Sequence, residues 1–204
     1  MSVPSSPRRG PGRQRSEASR LAVLRATRSL VDEIGYEGLT IGGIAARAGV
    51  GKDTIYRWWP SKGLVVADAV LGPDTEPAFY TDPPPDTGDL VADMHGWVRQ
   101  LARDYAEPAG AARVLAVTAA ATEDPATAAR LVERFTRPRQ AAVVARLRAA
   151  AALGEVRADA DLAAVADSLM ATLFFWAISR RENFDLDTVG GLLEVLLAGL
   201  RPRP

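Results

Sequence analysis

Apolar residues recur at helical spacing along most of the chain, and no segment alternates apolar and polar residues for long enough to predict a strand. In the first third, this periodicity divides into four short helical segments at residues 16–35, 40–49, 52–59 and 61–71. Ser16, Thr40 and Ser61 are suited to cap helix starts, and Gly35 and Gly49 are suited to end helices. The pattern therefore predicts an all-α fold.

A proline-rich segment at residues 72–88 interrupts this periodicity with five prolines and a glycine at each end. Such a composition is typical of a linker. Beyond it, the pattern predicts five more helices at residues 88–106, 110–121, 126–152, 160–181 and 187–200. Residues 1–15 are rich in proline and arginine and predict a disordered basic arm. The expected domains are therefore 16–71 and 89–204.

Charge is unevenly distributed, although the formal net charge is zero. Residues 1–71 contain eleven basic and six acidic side chains, so the rest of the chain has five more acidic side chains than basic ones. A basic domain joined to an acidic one favours a polyanion as the partner of the first domain only. A chance fluctuation would produce the same counts, so the asymmetry alone does not identify the partner.

The composition argues against several classes of protein. Cysteine is absent, which excludes disulfides, zinc-thiolate sites and thiol nucleophiles. His95 is the only histidine, and no metal-ligand cluster or glycine-rich phosphate loop accompanies it. We therefore expect no catalytic residues, metal or cofactor, and we interpret His95 as a surface or partly buried side chain. A helical enzyme is the alternative from another class.

The chain is expected to be cytoplasmic and to have no membrane partner. Its N-terminus is rich in proline, serine and arginine and lacks the apolar core of a secretory signal. The longest strongly apolar stretch, residues 169–178, is about half of the ~20 residues that a membrane helix needs. The absence of cysteine is compatible with a reducing compartment.

Residues 40–59 match the requirements of a helix-turn-helix. Two crossed helices need a small residue where they meet, and Ala45 provides it. The turn needs a residue that tolerates positive φ, which Gly49 supplies four residues later. Three apolar residues are spaced to face the interior: Val50, Ile55 and Trp59. Such a motif places its second helix in the major groove of DNA, with the first residues of that helix towards the base edges.

The segment from Leu39 to Lys62, which ends Thr-Ile-Tyr-Arg-Trp-Trp-Pro-Ser-Lys, resembles the DNA-binding segment of the tetracycline-repressor (TetR/AcrR) family. Residues 154–161, which precede a long apolar helix, resemble the approach to the dimerisation helices of that family. The resemblance implies a three-helix helix-turn-helix domain followed by a helical effector and dimerisation domain. It further implies a homodimeric repressor that a small-molecule effector releases from palindromic operator DNA. The alternative in this class is a DNA binder that responds to a protein partner or to no signal.

The resemblance assigns phosphate contacts to several positions. Thr40 matches the residue that caps the second helix and offers a hydroxyl and a backbone N–H to a phosphate. Tyr56 matches a tyrosine whose hydroxyl binds a phosphate, and Lys62 matches a lysine that binds backbone charge beside a helix N-terminus. Two positions depart from the family pattern. Gly51 stands in place of a serine and leaves only its N–H, and Trp58 stands in place of a histidine but retains an indole N–H.

Lys52, Asp53 and Thr54 begin the predicted recognition helix, and the resemblance makes them the candidates for base contact. Lysine donates to guanine O6 or N7, aspartate accepts from cytosine N4, and threonine contacts a thymine methyl. For Asp53, the alternative is a helix-start residue that favours the helix dipole and contacts no base. We expect Arg47 and Arg57 to lie on a solvated face or to attract phosphate nonspecifically. The basic arm either contacts DNA or only solubilises the protein.

Aromatic residues in the second domain are either core residues or neighbours of an effector, which the resemblance places among the middle helices. The candidates for effector contact are Trp97, Tyr105, Phe135 and Phe174. Phe174 and its neighbours Phe175 and Trp176 line either this pocket or the seam between subunits. Charged residues are scarce in 162–178 and 189–200, which predicts two subunit-facing helices that form a four-helix interface.

Overall fold

A computed structural model of the protein describes residues 11–72, 82–179 and 186–202, with side chains for 16–72, 82–179 and 188–202. These residues form α-helices and one π-helical turn, and none of them forms a strand. The first helices are α1 (Pro11–Gly38), α2 (Ile41–Ala48), α3 (Lys52–Trp58), α4 (Lys62–Leu71) and α5 (Leu90–Ala106). They are followed by α6 (Pro108–Glu123), α7 (Pro125–Leu131), the π-helical turn (Val132–Thr136), α8 (Arg137–Ala152), α9 (Leu162–Ser179) and α10 (Leu186–Leu200). The predicted all-α fold is confirmed.

The helix-turn-helix forms through the capping contacts that the sequence predicts. The Thr40 hydroxyl oxygen accepts the Gly43 N–H at 3.0 Å and so begins α2. Gly49 has φ 67° and ψ 34°, a left-handed conformation that favours glycine, and its N–H bonds to carbonyls of the last turn of α2. Ile55 and Trp59 are buried against the first two helices, so the turn delivers α3 across α2.

The first helix begins earlier than predicted. Its N-terminus is Pro11, inside the segment predicted as a disordered arm at 1–15, whereas residues 1–10 lie outside the described residues. Proline is favoured at the first helical position because its missing N–H would have no partner there, and this overrides the composition of residues 11–15. Gly35, predicted to end the helix, has φ 68° and ψ −177° and interrupts it as expected.

The helix predicted at 126–152 is three segments rather than one. The Arg137 N–H bonds to the Val132 carbonyl, five residues back, which widens the backbone into the π-helical turn. Pro138 explains the break because it has no N–H for the Arg134 carbonyl and its ring would clash with that carbonyl. The prediction of one continuous helix took no account of this proline. Likewise, α6 begins at Pro108 rather than at residue 110, again with proline at the first helical position.

The end of the predicted linker is attached to the second domain. Residues 73–81 lie outside the described residues, but residues 82–88 are non-helical and bonded to α5 and α8. The Trp97 indole N–H donates to the Asp82 carbonyl at 2.7 Å, and the Arg146 guanidinium donates to the Pro85 carbonyl at 2.9 Å. Arg146 also pairs with Asp93 at 2.8 Å, and both side chains are buried. Buried ions need such partners, so this segment is held in place.

One continuous hydrophobic core joins both domains. In the first domain, α1 packs on α2 and α4, and both α1 and α4 also pack on α6 of the second domain. Within the second domain, α6 also contacts α5, α7 and α9, α5 packs on α10, and α8 packs on α9. The central position of α6 means that the orientation of the helix-turn-helix depends on contacts with the second domain.

α9 extends the apolar stretch identified at residues 169–178 to 18 residues. By length and composition alone it is long and apolar enough to cross a membrane, and only 22% of it is buried within the protomer. Phe175 on α9 and Val195 on α10 are among the most exposed large apolar side chains of the described residues, at 56% and 71%. The least covered apolar surface therefore lies on the last two helices.

We predict that Gly63→Ala destabilises the protein by about 1–2 kcal/mol. A Cβ at this buried position in α4 would lie 2.8 Å from the Thr127 hydroxyl oxygen, which is held by Asp124 at 2.8 Å and cannot yield freely. Urea unfolding would measure the change. Gly96→Ala is the matched control because its Cβ would meet open space at an exposed position of α5, and it should stabilise by up to about 1 kcal/mol. Equal midpoints for the two variants would contradict the close approach.

Candidate nucleic-acid interface

The first turn of α3 presents the residues predicted for base contact. Lys52 and Asp53 are exposed, Thr54 is half-buried, and the next residue, Ile55, is fully buried and anchors the helix. The Lys52 side chain passes over α2, where a Cβ on Gly42 would lie 3.3 Å from Lys52 Cε. The three side chains therefore lie together at the start of a helix that is fixed from behind, as base readout requires.

The two helix N-termini of the motif differ in their caps. The Thr40 hydroxyl already accepts a backbone N–H, so its own hydrogen is left to donate to an outside acceptor. Gly51 caps α3 without a side-chain hydrogen bond and is exposed. Backbone N–H groups at both starts can bind an anion, and the helix dipole favours negative charge there.

At the end of α3, two aromatic side chains are exposed and the next one is buried. Tyr56 is 50% exposed and Trp58 39% exposed, so the hydroxyl and indole expected to contact phosphate lie on the surface. Trp59 is 2% exposed, and its indole N–H donates to Asp68 Oδ2 at 2.8 Å. Trp58 and Trp59 are in tilted contact, with ring centroids 6.3 Å apart. The burial of Trp59 agrees with the prediction that this residue faces the interior.

Lys62 lies at the start of α4, but its ammonium group is engaged within the protein. Its Nζ donates to the Tyr36 carbonyl at 3.3 Å and lies 3.8 Å from the centre of the Tyr36 ring. The Tyr36 hydroxyl in turn donates to Glu123 at 2.5 Å, and burial together with this bond raises the pKa of Tyr36. An ammonium has three donors, so Lys62 retains donors for a phosphate while it contacts Tyr36.

Arg47 is paired with an acidic residue of α1. Its guanidinium makes two hydrogen bonds of 2.8 Å to the two carboxylate oxygens of Glu33 and a third, of 3.2 Å, to the Ser29 hydroxyl. The Arg47 bonds, and then the Ser29 hydroxyl, lower the pKa of Glu33 to about 2. The pair joins α1 to α2, which reduces the charge that Arg47 can offer to DNA.

Three of the four predicted effector residues lie in the hydrophobic core, and the fourth packs against it. Trp97, Tyr105 and Phe135 are at most 7% exposed, and Phe174 is half-buried on α9. An open cleft of about 700 Å³ lies instead between the start of α5, the loop after α8 and the end of α10. Its lining includes His95, Glu155, Glu194 and Arg201, and none of the four predicted residues.

Buried Arg139, which was not predicted as a site residue, contacts one of the predicted residues and lies near another. The Arg139 guanidinium is 3.9 Å from the centre of the Phe135 ring and donates to the Phe135 carbonyl at 3.3 Å. Burial lowers the pKa of Arg139, while nearby Tyr105 and Asp104 oppose that shift. Arg139 follows Phe135 by four residues, one helical turn, so their shared face was a readable signal. In the described part of the chain, no three His, Asp or Glu side chains are grouped to hold a metal.

We predict that Arg47→Gln returns the pKa of Glu33 from about 2 towards its ordinary value of 4.5, because the main bonds that favour its charged form are removed. A carboxyl ¹³C titration would measure this pKa. A lowered carboxyl pKa stabilises the fold above about pH 4.5, and this contribution is lost as the pH falls towards 2. Arg57→Gln on exposed α3 is the control and should leave Glu33 unchanged. A Glu33 pKa still near 2 without Arg47 would overturn the assignment.

Comparison with known proteins agrees with a helix-turn-helix domain that is followed by a helical C-terminal domain. The chain matches the family model "Bacterial regulatory proteins, tetR family" at residues 23–68 and the model "Tetracyclin repressor-like, C-terminal domain" at residues 84–196. It is 40% identical over 92 residues to the uncharacterised HTH-type transcriptional regulator YdeS of Bacillus subtilis, across 45% of this chain and 44% of YdeS. The match thus spans less than half the length of that curated relative.

Solved structures extend the similarity to almost the whole chain. The TetR family transcription regulator SCO0332 is 31% identical, with a TM-score of 0.67 over 90% of this chain and 99% of that one. GusR of Salmonella enterica is 27% identical, with a TM-score of 0.65 over 88% of this chain and 95% of GusR. The resemblance seen in residues 39–62 is confirmed: the chain belongs to the tetR family of bacterial regulatory proteins.

Proposed function

We propose that the protein is a cytoplasmic, sequence-specific DNA-binding regulator, which as a homodimer represses transcription from a palindromic operator until a small-molecule effector releases it. The family is one of HTH-type transcriptional regulators. The observation that carries the proposal is the first turn of α3, where exposed Lys52 and Asp53 and half-buried Thr54 begin a helix that is anchored by buried Ile55. A helix presented in this way fits the major groove.

Phosphate contacts would position this helix on the duplex. Tyr56 and Trp58 offer exposed O–H and N–H donors at the end of α3. Thr40 and Gly51 offer the N-termini of α2 and α3, and Lys62 offers its remaining ammonium donors at the start of α4. Phosphate contacts set register and affinity, whereas the base contacts of α3 set specificity.

The exposed faces of α9 and α10 support a homodimer. On α9 the exposed residues include Ala164, Ser168, Ala171 and Phe175, which share one face. On α10, Gly191, Val195 and Gly199 are likewise exposed. Small residues beside single large ones allow two helices to pack closely, and four such helices would form the interface between copies.

A membrane is a poorer explanation for the apolar face of α9. Asp167 lies in the first half of this helix, is exposed and accepts a 2.6 Å hydrogen bond from Gln140 of α8. A carboxylate within a membrane helix is disfavoured by about 2.5–3.5 kcal/mol. An interface with a second copy covers the apolar residues and leaves Asp167 with its partner.

The effector is proposed to act where Tyr105 and Phe135 converge on Arg139. These residues bring two aromatic side chains and a cation to one place in the middle helices, with Asp104 nearby. Trp97 and Phe174 belong to the same hydrophobic core and complete the proposed set. An effector shifts the population towards a form unable to bind DNA only to the extent that it binds this form more tightly.

Selection of bound duplexes from random DNA tests the function. We expect a palindrome with half-sites about one or a few helical turns apart and salt-sensitive affinity. On that duplex, Tyr56→Phe should weaken binding by about 1 kcal/mol, roughly fivefold, because one phosphate hydrogen bond is lost. A scrambled duplex is the control for specificity. Absence of salt-sensitive binding to any duplex would refute the proposal, and unchanged affinity would remove the role of Tyr56 alone.

For the dimer, we predict that Phe175→Glu and Val195→Glu each raise the dimer dissociation constant at least about tenfold, because a carboxylate would be buried without a partner. Sedimentation velocity would report a species of twice the 21.7 kDa chain mass for the wild type and lighter species for these variants. Ile34→Glu on α1 is the matched control, since Ile34 is 51% exposed and lies in the first domain. Variants that remain fully dimeric would place the interface elsewhere.

A further inference from the structure

Asp68 of α4 binds both domains through its two carboxylate oxygens. Oδ2 accepts the Trp59 indole N–H at 2.8 Å, and Oδ1 contacts the Arg130 guanidinium. Arg134 Nη1 lies 3.7 Å from the same Oδ1. The Asp68 side chain is 17% exposed, so these contacts are partly shielded from water. One residue thus joins the end of α3 to the segment α7–π-helical turn.

Trp59 determines the position of the end of α3. It directly follows α3 and is 2% exposed, and its backbone N–H donates to the Ile55 carbonyl. A buried indole N–H needs an acceptor, and Asp68 supplies it. Exposed Trp58 contacts the Trp59 ring, so the position of Trp59 also affects the surface that faces DNA.

The arginines that hold Asp68 lie beside an irregular turn. Arg134 is within the π-helical turn and Arg130 is four residues earlier, at the end of α7. Phe135, next to Arg134, is buried and carries Arg139 on its ring. The same turn therefore contacts Asp68 on one side and the second-domain core on the other. π-helical turns are uncommon and frequently occur at functional sites.

We propose that Asp68 is a positioning residue that keeps Trp59, and with it the DNA-reading helix α3, in register with the π-helical turn of the second domain. The inference rests on the proposed function, because its consequence is a change in operator affinity. A rearrangement of the turn that withdraws Arg130 and Arg134 releases Asp68, and the anchor of α3 then shifts. The contact thus transmits the state of the second domain to DNA binding.

Two kinds of variant separate the contacts of Asp68. Asp68→Asn keeps the size and an acceptor for the indole but removes the charge that attracts the arginines. Arg130→Gln with Arg134→Gln removes the other partners at positions that are 37% and 42% exposed, so the double variant should fold even if Asp68→Asn does not. We expect each to weaken binding to the selected palindrome about three- to tenfold, and their combination to add little.

Asp32→Asn is the matched control. Asp32 of α1 pairs with Arg113 of α6 at 2.6 Å, another ion pair between the two domains, and it joins α1 rather than α3 to the second domain. Its loss should leave operator affinity within twofold. A second readout needs no DNA: the Trp59 indole resonance in ¹H–¹⁵N spectra, assigned with Trp59→Phe, should shift in the arginine double variant and not in Asp32→Asn.

The outcomes are distinct. If the wild type binds no duplex, the proposed function fails, while the indole resonance still tests the contact. If the wild type binds but the Asp68 and arginine variants bind within twofold of it, the positioning role is overturned. An indole resonance that does not respond to loss of the arginines also overturns it. Weakened binding in Asp32→Asn equal to that in Asp68→Asn would show a general effect of domain contacts and would reject a specific role for Asp68.

Discussion

The shared hydrophobic contact of α6 with α1 and α4 supports every other feature of the molecule. Val65, Val66 and Ala69 of α4 are fully buried. Val117 and Ala120 of α6 are at most 2% exposed. Burial of apolar surface provides the main free energy that holds the two domains together. Packing of side-chain ridges into grooves limits the crossing angles of these helices, and polar bonds at the edge of the contact fix the angle further.

Those polar bonds concentrate at the junction of α6 and α7. Asp124 caps α7 by accepting the Ala126 N–H and also accepts the Ser61 hydroxyl, which caps α4. Hydrogen bonds from Thr127 and then from the Ala126 N–H lower the pKa of Asp124, so it is charged in this role. Glu123 holds Tyr36 of α1 in the same region. The starts of two helices and the end of α1 are thus fixed to one corner, beside which Asp68 connects to α3.

Local chemistry accounts for what could be predicted. Helix starts at Ile41 and Lys62 follow from the Thr40 and Ser61 caps before them, since capping involves residues within three positions. The π-helical turn was not predicted because Pro138 was left out of account, although proline removes a donor to the residue four positions back. The scarcity of charged residues in α9 and α10 was visible in the sequence. That their apolar side chains are exposed in the protomer could be seen only in the structure.

The sequence by itself determined most of the helices, the helix-turn-helix, the family and the residues at the start of α3, because each depends on a pattern within a few turns. Only the tertiary structure decided which charges are neutralised and which side chains converge. Arg47 meets Glu33, Lys62 meets Tyr36, and Arg139 lies against Phe135 beside Tyr105. Asp68 and Arg130 are 62 positions apart. Pairings over such distances arise from helix packing angles, which no local periodicity encodes.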